Sequence, residues 1–277
     1  MSTTPSDDTR HGPTVPQAQI PPWLHALTDD VTAVTASVLG RGGDRTRWMS
    51  MIQRNKRTAA VLILFAGSWD ADPTAHGGLP ADVDVLLTQR APTLRQHSGQ
   101  VAFPGGSFDP GDDFPVGTAL REANEETGLV AGGVDILANL MPFPVPASGF
   151  EVTPVIGHWR EPGPVGVVDP GETARVTRVN MRELLHPDNR FQVQRSILGG
   201  SVYKGPAFFI DGMLVWGFTG GLIAAIAEVS GWEIPWDRDD VRPLDEAIAL
   251  AETPQSNWVH PNSVHPNSVQ HGEEPTT

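Results

Sequence analysis

The chain has 277 residues, enough for a sizeable core, and its 33 Asp and Glu against 19 Lys and Arg give a formal charge of −14. That balance argues against nucleic-acid or anionic-membrane binding, which want a basic surface, and leaves room for an anionic small molecule met by local cations. Cysteine is absent, excluding thiol catalysis, disulfides and Cys-based zinc sites, while 29 Gly and 26 Pro predict a loop-rich protein.

Residues 1–19 are polar and proline-containing, without the apolar run of a signal peptide, and predict a disordered tail. The segment 21–55 reads as helical in part, with Trp23, Leu24 and Leu27 on one face. Six basic residues face one acid between Arg41 and Arg57, and a solvated helix face is the default reading for them. Ala59–Phe65 reads as a buried strand and Val83–Thr88 as a second. A Gly/Asp/Pro loop at 104–113 leads into a helix, followed by strands near 134–141, 151–159, 174–180 and 201–210. A helix near 218–230 and an acidic one near 243–252 complete the pattern. The longest uncharged stretch, Gly212–Ala227, is too short and glycine-rich to span a membrane. The pentapeptide His260–Val264 repeats as His265–Val269. A tandem duplication in a tail explains it better than a histidine metal tract. Mixed strands with few helices predict an α/β sandwich around a mixed sheet. The expected organisation is one domain over 20–254 with helical extensions at both ends, a disordered tail over 255–277, and a soluble, cytoplasmic protein. A homodimer is compatible with all of this.

The informative stretch runs from Gly105 to Leu129. Asp112 and Asp113 lie where capping carboxylates are favoured, Pro115 suits a first turn, and Gly128 suits the position just past a helix end. Glu122, Glu125 and Glu126 are then i, i+3 and i+4 and share one face, where like charges repel. Arg121 is the nearest cation. A solvated acidic face is one reading, but a hard divalent cation resolves the repulsion better, and oxygen-only clusters suit Mg²⁺ or Mn²⁺.

Arg121–Leu129, Arg-Glu-Ala-Asn-Glu-Glu-Thr-Gly-Leu, resembles the second half of the Nudix box, Arg-Glu-aliphatic-x-Glu-Glu-x-Gly-aliphatic. The first half departs, with Asp112 where Glu is usual and eight residues rather than seven before Arg121. Leu86–Gly106 is similar to the motif marking the coenzyme A pyrophosphatase subfamily, in which the shifted box also occurs, and Ala91 stands where Ser is usual. The resemblance implies a Nudix-type α/β/α sandwich and a Mg²⁺- or Mn²⁺-dependent hydrolase. Its implied substrate is a CoA-like nucleotide: coenzyme A or acyl-CoA, cleaved to 3′,5′-ADP and 4′-phosphopantetheine or its acyl derivative. It implies Glu122 and Glu126 as metal ligands, Glu125 completing the cluster, Arg121 orienting a carboxylate, and a carbonyl near Gly105 or Gly106 as a further donor. Arg90, Arg95 and His97 are the implied substrate-binding cations, Arg90 and Arg95 at phosphate. The base is either Glu172 or a box carboxylate. Two other readings stay open, another nucleoside diphosphate derivative (ADP-ribose, NADH, a nucleoside triphosphate) and a catalytically silent Nudix-fold binding module.

Overall fold

A computed structural model describes residues 11–41, 57–93, 99–145, 148–196 and 202–252. The first sheet is mixed and contains β1 (Gly12–Pro13), β2 (Arg57–Ala66), β3 (Asp84–Arg90), β4 (Val101–Ala102), β5 (Gly105–Ser107), β6 (Val134–Asn139), β7 (Phe143–Val145), β8 (Phe150–Trp159) and β9 (Thr173–Asn180). A smaller sheet holds β10 (Arg190–Ser196), β11 (Val202–Ile210), β12 (Met213–Val215) and β13 (Val241–Pro243). The helices are α1 (His25–Asp29), α2 (Val31–Arg41), α3 (Val116–Thr127), α4 (Met181–Leu184), α5 (Gly217–Val229) and α6 (Leu244–Glu252).

The apolar run of β2 is continuous because both faces of the strand are covered. Ala60, Leu62, Leu64 and Ala66 pack with Leu86, Val155 and the α3 residues Ala119 and Ala123. Ile63 and Phe65 join the opposite core with Trp23, Leu24, Leu27, Leu137, Ile156 and Leu222 of α5. Helices therefore cover the first sheet from both sides, the expected α/β/α arrangement. β2 runs parallel to β8 from Arg57↔Phe150 to Phe65↔His158. Among the described residues no helix is long and apolar enough to cross a membrane.

Two departures from expectation have simple causes. Residues 11–19 belong to the folded chain rather than to a tail: Gly12 and Pro13 pair with Asn139 and Ala138, and the Thr14 N–H donates to the Leu137 carbonyl. The exposed edge of β6 offers backbone partners that polarity alone does not reveal. The second departure is the separate small sheet, which packs Phe191, Val193, Ala207 and Leu214 against Leu244 and Ala247 of α6. The basic stretch at 42–56, Arg95, His97, and the tail with its repeat lie outside the described residues.

A fork in the first sheet places the loop that precedes α3. β2 and β3 pair only at Phe65↔Val85 and Ala66↔Asp84 and then separate. The β4–β5 segment enters the gap, with Thr88↔Ala102 on one side and Ala60↔Gly106 and Val61↔Gly105 on the other. The expected loop at 104–113 thus begins as strand. A side chain at Gly105 would strike the Ala60 carbonyl, so the fork closes only around glycine.

Candidate active site

α3 ends as its sequence predicts: Gly128 is left-handed at φ 72° and donates its N–H to Asn124. Its start does not. Pro115 occupies the cap position with no side-chain cap bond, and the Asp113 contribution is its carbonyl, which accepts from the Gly117 N–H. The Asp112 carboxylate is not a cap either. It accepts from Arg121 Nε (3.1 Å) and Nη2 (3.0 Å), from Thr118 Oγ1 (2.8 Å) and from the Asp109 N–H (3.1 Å). Charge-assisted bonds to a guanidinium outcompete a neutral helix N–H.

The three glutamates take different partners, their positions spreading over about 100° of the helix. Glu122 and Glu126 turn towards the β5 backbone. Gly105 donates its N–H to Glu126 Oε2 at 3.2 Å. A Cβ on Gly106 would sit 2.5 Å from the Glu122 carboxylate, so a side chain there would displace that carboxylate. Glu125 swings outward, 56 % exposed, and pairs with Arg121 Nη1 at 3.1 Å. Among the described residues no group of three acidic or histidine side chains is arranged to hold a metal ion.

The electrostatics separate the same residues. Burial pushes the Glu126 carboxyl up to about 7, opposed by the Gly105 N–H and the Arg90 charge and assisted by Glu122 and Glu172. Burial also raises Glu122, with the Arg121 guanidinium opposing it. Arg121 holds Asp112 below the usual carboxylate range. Glu126 has no ion-pair partner among the described residues, so a buried carboxylate stands short of positive charge. All its potential co-donors are oxygens. That donor set fits a hard divalent cation held by Glu122 and Glu126.

Arg90 ends β3 beside this pair, and its buried Nε has no hydrogen-bond partner among the described residues. The Ala91 N–H donates to the Glu172 carbonyl at 2.8 Å, which brings the exposed Glu172 to the same end of the sheet. Asp112, Thr118 and Asp109 were not legible as parts of a site. The available signal was an acid nine residues before Arg121, which also reads as a helix cap.

A family model described as "NUDIX domain" matches residues 73–184. The chain is 36% identical over 144 residues to the uncharacterized Nudix hydrolase NudL of Photorhabdus laumondii, covering 52% of this chain and 75% of that protein. It is 35% identical over 184 residues to the NudL of Cronobacter sakazakii, covering 65% and 85%. The crystal structure of a Nudix hydrolase from M. smegmatis, RenU, aligns at 25% identity and a TM-score of 0.35, covering 48% of this chain and 78% of that one.

Proposed function

The chain belongs to the Nudix hydrolase family, and we propose that this pyrophosphohydrolase cleaves coenzyme A or an acyl-CoA to 3′,5′-ADP and the phosphopantetheine half. The observation that carries the substrate reading is Arg90. It sits in the Leu86–Gly106 stretch that resembles the coenzyme A pyrophosphatase motif, its buried Nε has no hydrogen-bond partner among the described residues, and its charge acts on Glu126. A phosphate oxygen is the partner that such a guanidinium edge suits.

Nudix hydrolases generally use divalent metal ions. Glu122 and Glu126 are the proposed holders of Mg²⁺ or Mn²⁺, which would neutralise the pyrophosphate and acidify the attacking water. Arg121 keeps Glu122 turned towards β5, Arg90 and Arg95 bind substrate phosphates, and His97 is a further substrate-binding cation. Attack of water on one phosphorus breaks the P–O–P bridge. The released proton passes to Glu172 or to a box carboxylate. Loss of the acidic limb of the pH–rate profile in Glu172→Gln assigns it there, and retention assigns it to the box.

The test is incubation with CoA and Mg²⁺ or Mn²⁺, beside a Glu126→Gln control. Release of 3′,5′-ADP by the wild type alone supports the reading. If ADP-ribose, NADH or a nucleoside triphosphate exceeds CoA and acyl-CoA in kcat/KM, the substrate assignment is overturned. If divalent metal neither binds nor raises the melting temperature, the silent binding module takes its place.

A further inference from the structure

We propose that Arg57, stacked on Phe150, is a platform for the nucleobase of the substrate, a role that rests on the nucleotide hydrolysis proposed above. Arg57 closes the basic run of the sequence, yet it is the first residue of β2 rather than part of a helix face. Its guanidinium carbon lies 4.2 Å from the centroid of the half-buried Phe150 ring, on the neighbouring strand β8. Nη2 donates to the Ser148 carbonyl at 2.7 Å, which holds the group over the ring. Arg57 is itself exposed, so guanidinium surface remains open to solvent.

Among the described residues five arginines lie over aromatic rings, and four of the five are neutralised by a carboxylate. Arg178 pairs with Asp84, Arg190 and Arg238 with Glu233, and Arg242 with Asp240. Those stacks complete internal ion pairs. Arg57 has no carboxylate partner among the described residues, and the Ser148 carbonyl that it meets is neutral. A flat, exposed, uncompensated cation in a chain of charge −14 suits the electron-rich ring of an anionic ligand. Its position agrees. Ala59 pairs with Ser107 of β5, whose carbonyl accepts from Arg121, and Ala60 pairs with Gly106 beside Glu122. Arg57 stands about 7 Å along the strand from Ala59, at the same end of the sheet, a distance that a ribose bridges. By alternation it shares the face of Ile63 and Phe65, away from α3. Phosphates at Glu122 and a base on Arg57 would straddle the strand ends. The competing account is a point charge that meets a phosphate.

Titration with 1,N6-ethenoadenosine 5′-monophosphate, a fluorescent nucleotide with no pyrophosphate to cleave, separates the two in the presence of Mg²⁺. The wild type should bind it and quench its emission as the base stacks. Arg57→Ala should raise its Kd about 10-fold, the size of one lost base stack, and abolish the quench. Inorganic pyrophosphate, followed by calorimetry, should keep its wild-type Kd because it has no base. Arg57→Lys retains the charge without the plane, so it should bind the nucleotide as weakly as Arg57→Ala. Together with Phe150→Leu, which removes the supporting ring and should also raise the Kd, it carries the test if Arg57→Ala fails to fold. The proposal is overturned if Arg57→Ala matches the wild-type Kd, if Arg57→Lys restores it, or if pyrophosphate loses as much affinity as the nucleotide. A wild type that does not bind the nucleotide overturns it as well. If binding depends on Arg57 but CoA is not cleaved, only the substrate reading fails. If CoA is cleaved and nucleotide binding ignores Arg57, only this role fails.

Discussion

Arg121 and Arg190 anchor two ionic clusters of opposite balance. Around Arg121, Asp109, Asp112, Glu122 and Glu125 all lie within 3.8 Å, and Glu126 lies near Glu122. Around Arg190 the excess is reversed: Glu233 at 3.1 Å also meets Arg238, and the Arg190 guanidinium lies over the rings of Phe208 and Trp236. Arg190 is 1 % exposed, against 26 % for Arg121. The buried cluster disperses its charge into aromatic faces and holds the small sheet together. The open cluster carries more negative charge than its arginine can neutralise. A surplus of that sign, beside the glycine backbone of β5, suits capture of a cation better than stability.

Four measurements break or sharpen this contrast. Glu126→Gln and Glu122→Gln should lower kcat by about three orders of magnitude or more, as expected for removal of a ligand that acts in the transition state; steady-state turnover checks this, and wild-type turnover in either variant would refute the assignment. Arg190→Ala should cost about 3 kcal/mol of folding stability by chemical denaturation, through a broken buried pair and lost ring contacts, while turnover per folded molecule stays unchanged.

The third measurement is the pH dependence of stability in the metal-free protein. Glu126 is raised from 4.5 to about 7 by burial, so the native state binds more protons than the unfolded chain between those values. Stability should therefore fall as pH rises from about 4.5 to 7, by up to about 3 kcal/mol, and Glu126→Gln should flatten the slope. A slope identical in the variant would show that Glu126 is not the group responsible. The smallest effect belongs to Asp72, whose bonds to Thr74 and Arg182 hold its carboxyl at about 2. Its contribution is present above pH 3.8 and disappears as pH falls through about 2. Asp72→Asn should trim acid stability slightly without touching turnover.

Much of this molecule was readable along the chain. The run Ala59–Phe65 is a strand buried on both faces, Gly128 ends α3 in the left-handed conformation, and Trp23, Leu24 and Leu27 lie in one core. Each is a local rule: apolar continuity, glycine at a helix end, and helical spacing. The errors were local rules applied where a distant partner wins. Asp112 and Asp113 lie where a cap is favoured, yet Arg121, nine residues further on, takes the Asp112 carboxylate. Residues 12–13 are polar-flanked and unremarkable until the β6 edge is there to pair with them.

The chemistry of the site is written in the sequence, because residue type and 3.6-residue periodicity alone put three carboxylates and one guanidinium near each other. Which of those carboxylates are paired, buried or turned outward is not. The spread around the helix axis divides the glutamates only once a fork between β2 and β3 presents Gly105 and Gly106 to one side of α3. Glu126 then loses water and meets a backbone N–H, Glu122 fits where Gly106 has no side chain, and Glu125 is left to Arg121. Sequence determines which groups are available; desolvation and contact between remote segments determine their charge and direction, and both exist only after folding.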